Sequence, residues 1–201
     1  MNTSKKSSNF PVRFSIDVET AGDNPHNRAL LEVGLCVVDD LSIAKNFIFT
    51  PSLLTFDRHA LHAIKRPIEE FIDKGVPLEI GINSMLDFID AAADGRPIEF
   101  HGLNIAFDWM FLITNVARVA AVHSLPYKAY DIPSYGAGVF GLPLSRIGGD
   151  TLIRLLAVHS PHLVEKFSLH KKTCRAHYAC EDALYQARLL LALEEYSKSK
   201  T

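Results

Sequence analysis

Five residues carry the polar groups from which a metal or acid–base site could be built: Asp17 and Glu19 near the amino end, Asp108 mid-chain, and His177 and Asp182 towards the carboxyl end. Asp17 and Glu19 stand two apart in Ile16-Asp17-Val18-Glu19-Thr20, inside a run over 14–20 that reads as an apolar strand. Strand side chains alternate between faces, so the two carboxylates share one face and Ile16 and Val18 the other. Neighbouring ionised carboxylates repel and lose hydration when buried unless a cation or a shared proton offsets both effects. A divalent-metal site is one reading of this pair. A solvated strand end, with both acids facing water, is the other.

The more distant acids bear on that choice. Asp108 falls in the first turns of a predicted helix, where the helix dipole favours a carboxylate without any ligand. Asp182 stands beside Ala183, and Ala183, Ala187 and Leu190 have the spacing of a closely packed helix face. A lone acid carried towards such a face is costly. Four acids from one strand and two helices of an α/β domain acquire a common purpose if they hold metal. Hard oxygen donors with no cysteine among them suit magnesium or manganese rather than zinc. His177 lies five residues before Asp182, about 140° away around a continuous helix, so it belongs on the loop leading into that helix. From there it can act as a general base.

The chain that must position these groups has 201 residues, 48% hydrophobic and 22% charged, which suits one globular domain with a sizeable core. Its apolar runs are interrupted by charges and are too short to cross a bilayer. Met1-Asn2-Thr3-Ser4-Lys5-Lys6-Ser7-Ser8 has lysines but no apolar stretch behind them, so residues 1–10 read as a disordered lead-in to a domain over 11–197. Three cysteines without a Cys-x-x-Cys pair fit a reducing compartment, and the expectation is a soluble, cytoplasmic protein. His170, Cys174, His177 and Cys180 could in principle hold zinc, although zinc ligands usually come as short pairs separated by a longer loop. A net charge of −2 leaves no basic footprint, so a nucleic-acid substrate would be gripped locally, at its end, as a short or single strand.

Strands are predicted over 14–20, 29–38 and 44–50, the first three forming an antiparallel meander, with further strands over 97–101 and 127–132. Residues 57–93 have helical spacing, broken at Gly75-Val76-Pro77, with Pro67 in a first turn and Asn83 or Ser84 as a cap. A long helix follows the turn Gly102-Leu103-Asn104 and runs to about 122. The region 133–149, with five glycines and two prolines, reads as an ordered loop or lid. Asp150-Thr151 would cap a helix to about 158, and a last helix begins near 177.

Taken together, the motifs resemble the DEDDh subgroup of the DEDD 3′-5′ exonucleases, which have the ribonuclease H-like fold. Asp17-Val18-Glu19-Thr20 resembles the first exonuclease motif, Asn104-Ile105-Ala106-Phe107-Asp108 the second, and His177-Tyr178-Ala179-Cys180-Glu181-Asp182 the third. Leu30-Leu31-Glu32-Val33-Gly34 follows where the family's second strand usually does. The resemblance implies a single α/β domain, a mixed five-stranded sheet flanked by helices. It also implies hydrolysis of the 3′-terminal phosphodiester of RNA or DNA to nucleoside 5′-monophosphates. Two divalent cations, Mg2+ or Mn2+, about 3.5–4 Å apart, would be held by Asp17, Glu19, Asp108 and Asp182, with His177 as the general base. Thr20, Asn104 and Phe107 would support the site or touch substrate, with core packing an equally good role for Phe107. A protein partner or a homodimer is left open, and no membrane is involved. Two departures stand out: Thr20 is followed by Ala21-Gly22-Asp23, where the family often has an apolar residue against the terminal base, and Leu103 occupies a place where histidine is frequent, with His101 nearby. The alternatives are a non-catalytic nucleic-acid or protein interaction module on the same fold, and a phosphohydrolase acting on nucleotides.

Overall fold

Strands of the kind expected do form, and their order explains why distant motifs meet. The computed structural model describes residues 10–51, 56–120, 125–170 and 177–200. Its five strands are β1 (Val12–Thr20), β2 (Leu30–Val37), β3 (Ala44–Ile48), β4 (Ile98–Gly102) and β5 (Ala129–Asp131), in the spatial order β3-β2-β1-β4-β5. β1, β2 and β3 form the antiparallel meander, and β4 and β5 continue parallel to β1, so the sheet is mixed. The helices are α1 (Arg58–Ile64), α2 (Ile68–Lys74), α3 (Leu78–Ala93), α4 (Ile105–Val119), α5 (Ile132–Phe140), α6 (Gly149–His159), α7 (Pro161–Lys166) and α8 (Ala179–Lys198). Among the described residues, no helix is long and apolar enough to cross a membrane.

Helices cover both faces of the sheet, and every residue of β2 is consequently buried. On one face Phe14, Ile16, Val18 and Leu35 pack with Met85 and Ile89 of α3 and Phe111 and Leu112 of α4. On the other, Cys36 packs with Ala183, Ala187 and Leu190 of α8 and with Leu152 and Leu156 of α6. The alternation of β1 therefore sends Ile16 and Val18 to the α3–α4 face, and Asp17 and Glu19 to the face crossed by α8. A smaller cluster of Ala21, Leu31, Ile64 and Phe71 seats α1 and α2 beside the end of β1.

Gly34 fixes how closely α8 approaches. A Cβ on this residue would fall 2.0 Å from the backbone carbonyl carbon of Ala179, the first residue of α8. Because backbone cannot yield as a side chain can, Gly34→Ala is expected to cost about 1–3 kcal/mol. A urea midpoint equal to that of the wild type would show that the approach is looser than this.

Several expected elements differ. The glycine-rich region 133–149 is no loop: α5 occupies its first half, and Leu144–Arg146 form a short 3-10 turn. Asp131 caps α5 by accepting from the Ser134 amide at 2.8 Å, Pro133 lies in the first turn, and Gly141, at φ 65°, ends the helix in the left-handed region. Gly136 lets α5 press against Leu152, so tertiary packing outweighs poor helix propensity. Asn83 and Ser84 lie within α3, which starts directly after Pro77. Asp150 and Thr151 lie in the first turn of α6 behind Gly148 rather than capping it. Almost all of the expected lead-in falls outside the described residues.

Candidate active site

The acids are set by the carboxyl end of β1. A shift in pairing register between Glu19 and Thr20 marks a bulge, with Leu31 the extra residue on β2, before Thr20 pairs with Leu30. Thr20, buried, donates from Oγ1 to the Gly22 carbonyl at 2.6 Å and so tightens the bend that follows. Asp108 arrives from the first turn of α4, buried, and its Oδ1 accepts the amide of Val18 at 2.8 Å. Val18 is the residue between Asp17 and Glu19, so this one bond brings the second motif onto the first. Burial pushes the Asp108 carboxyl up to about 7, against the Val18 amide, which favours the ionised form.

α8 supplies the third segment. Asp182 is buried in its first turn, as the Ala183–Ala187 spacing predicts, while His177 precedes the helix, which begins at Ala179. His177 Nδ1 lies 3.5 Å from Asp182 Oδ2 and 3.8 Å from Glu19 Oε1. One donor atom from each of Glu19, His177 and Asp182 falls within 4.8 Å of the others. The set fits a hard divalent cation: Glu19 and Asp182 offer carboxylate oxygens at under 10% residue exposure, where their mutual repulsion calls for a positive charge. The side chain of His177 is 42% exposed, far more open than the acids.

Gln186 was not singled out by its sequence context. It lies one turn beyond Asp182 on the packed face of α8, is buried, and donates from Nε2 to Asp17 Oδ1 at 2.7 Å. Its Oε1 accepts the Leu103 amide, also at 2.7 Å, so one amide group ties β1, the β4–α4 turn and α8 together. The available signal was a polar residue directly before Ala187 on a face read as apolar.

Asn104 takes the left-handed conformation at φ 54° and turns β4 into α4, with no capping bond from its side chain. Phe107 is half-buried, its ring centroid 5.1 Å from that of Phe111, and it packs against the core while also facing a cleft. That cleft, of about 420 Å³, opens beside Glu19 and is lined by Thr20, Gly22, Asp23, His59 and Phe107 among others. Asp23 thus stands on its wall. His101 does not replace the histidine missing at Leu103: it lies on β4, stacked on Tyr130 at 5.2 Å, where burial pushes its pKa down to about 4. For the zinc alternative, His170 pairs with Glu165 at 2.8 Å and Cys174 lies outside the described residues.

No family model matches the chain. Among curated proteins it is 23% identical over 196 residues to the 3′-5′ DNA exonuclease Cap18 of Escherichia coli, covering 94% of this chain and 95% of that one. Among solved structures, the nuclease domain of 3′hExo, a DEDDh family member bound to rAMP, superposes with a TM-score of 0.66 at 14% identity, over 92% of this chain and 93% of that one. Pop2p of S. pombe, in a form with Mg2+ and Mn2+ bound, gives 0.61 at 13% identity, over 92% and 83%. The fold expected from the DEDDh resemblance is the fold of this chain.

Proposed function

We propose that the protein is a metal-dependent 3′-5′ exonuclease that removes nucleoside 5′-monophosphates from the 3′ end of single-stranded or short nucleic acid. The observation carrying this reading is the convergence of three segments at one strand end: Asp108 on the Val18 amide, and His177 and Asp182 beside Glu19. The likeness over nearly the whole chain to a protein named as a 3′-5′ DNA exonuclease supports it, as do magnesium and manganese in the Pop2p structure.

Asp17, Glu19, Asp108 and Asp182 would hold two divalent cations, Mg2+ or Mn2+, which when bound supply a more acidic water and positive charge for the leaving 3′-oxygen. The chain's own groups do the rest. His177 Nδ1 faces the acids and takes a proton from a water lying among them, and the adjoining Glu19 and Asp182 carboxylates stabilise the imidazolium that forms. Gln186 holds Asp17 in place through its hydrogen bond. Phe107 and Thr20 form walls of the cleft that receives the terminal nucleoside. Asp23 makes that wall partly acidic where the resemblance expects an apolar wedge.

The test is product analysis on 5′-labelled DNA and RNA oligomers of several lengths with magnesium or manganese. A ladder of stepwise shortened oligomers with release of 5′-monophosphates, abolished by excess chelator and restored by metal, is the expected result. Turnover of free nucleotides alone would favour a nucleotide phosphohydrolase. Binding without turnover would favour a non-catalytic module.

A further inference from the structure

We infer that Arg66 is a positioning residue for His177, holding the chain ahead of α8 from a buried ion pair with Glu32; the inference rests on the exonuclease reading above. Arg66 lies in the turn between α1 and α2, where Lys65, at φ 53°, reverses the chain. Its side chain is 2% exposed and that of Glu32, on β2, is 0% exposed. The guanidinium spans three separate elements. Nη1 donates to Glu32 Oε2 and, at 3.1 Å, to the backbone carbonyl of His177. Nε and Nη2 donate to the two carboxylate oxygens of Glu70 on α2 at 3.1 and 3.2 Å. Its central carbon lies over the rings of Phe71, 4.5 Å from the centroid, and Tyr178, 4.2 Å from the centroid.

The backbone amide of His177 is held by the same segment, donating to the Ile64 carbonyl at 3.1 Å. Both main-chain polar groups of His177 are therefore bonded to the α1–α2 segment, and the next residue, Tyr178, rests on the guanidinium. The imidazole is left directed at Glu19 and Asp182.

The register of the sheet explains why the anchor sits here. Glu19 and Glu32 are directly opposite each other across the β1–β2 ladder, an arrangement that is destabilising for two carboxylates unless one is neutralised. Arg66 neutralises Glu32, assisted by Asn46, which donates to the other Glu32 oxygen. A lysine could match the charge, but a point charge cannot reach three acceptors in a fixed plane as the guanidinium fork does. A buried ion pair often contributes little to stability compared with apolar residues of similar volume. Its distinctive contribution is direction, and here the direction is imposed on the backbone of His177.

The separating experiment uses the full chain with Arg66→Met/Glu32→Leu, which removes both charges together, and Arg66→Lys, which keeps the charge. The double variant is expected to fold with a Tm near the wild type and to bind Mn2+ normally. Its kcat should fall about 10–100-fold with KM little changed, as misplacement of a reacting group requires. In the metal-free protein, the ring NMR signal of His177, assigned by its loss in His177→Ala, should shift or split. Arg66→Lys should fold, and it should show the same lowering of kcat and the same change in the His177 signal. Wild-type kcat in either folded variant, or lowered kcat with an unmoved His177 signal, would overturn the assignment. If the double variant does not fold, Arg66→Lys decides alone; if that variant also unfolds, the pair is purely structural and the assignment fails. Absence of exonuclease activity in the wild type would remove the functional reading, while the NMR signal would still report whether Arg66 places His177.

Discussion

Asp182→Asn should reduce exonucleolytic turnover by about 10³-fold or more while leaving the protein folded. The substitution preserves shape on the packed face of α8, where Asp182 is buried, and removes one negative charge from a cluster that includes Glu19. Losing a metal-holding carboxylate withdraws several kcal/mol of charge stabilisation, and about 4 kcal/mol corresponds to roughly 10³ in rate. Stability supplies a second readout with the opposite sign. In chelator, relief of repulsion should leave the variant's Tm equal to or above that of the wild type. Added Mn2+ should raise the wild-type Tm, by about 2.7 kcal/mol of stabilisation at a hundredfold excess over Kd, and raise that of the variant much less. Wild-type turnover together with an undiminished metal-induced shift would remove Asp182 from the site.

What could be read from the sequence was whatever chemistry makes expensive. Asp17 and Glu19 on one strand face, and Asp182 beside an alanine-rich helix face, advertise themselves because such acids need an explanation. The meander and the faces of α3, α4 and α8 were legible because their apolar spacing follows the period of the element. Arg66 and Glu32 were hidden for a different reason. They are 34 residues apart, and only the docking of α1 and α2 on the end of β2 brings them together. Local pattern shows Glu32 as one acid in an apolar strand and Arg66 as one base in a turn. Gln186 carries no local mark of its role, since a glutamine on a helix usually faces water and nothing local reveals that this one meets Asp17. The sequence of α5 has the pattern of a loop because glycine disfavours helix locally, whereas Gly136 is needed for its contact with Leu152. In each case the missing information was a long-range contact.

His177→Ala separates the roles that the geometry permits for the imidazole. As a general base, its removal should lower kcat by about 10²–10⁴-fold, with KM, Mn2+ affinity and Tm close to wild type. Stability should hold because the side chain is 42% exposed, and because the His177 backbone bonds to Ile64 and Arg66 survive the substitution. A direct ligand would behave otherwise. If Nδ1 joined Glu19 and Asp182 on a cation, the variant should lose Mn2+ affinity along with rate. If His177 instead belonged to a zinc site with Cys180, purified protein should carry stoichiometric zinc, and the variant should lose zinc and melting temperature together. Titration of Mn2+ and metal analysis on the same two proteins distinguish these outcomes. A folded variant that binds manganese as tightly as the wild type, carries no zinc and barely turns over assigns His177 to proton transfer; weakened Mn2+ binding in parallel with lost rate would make it a ligand instead.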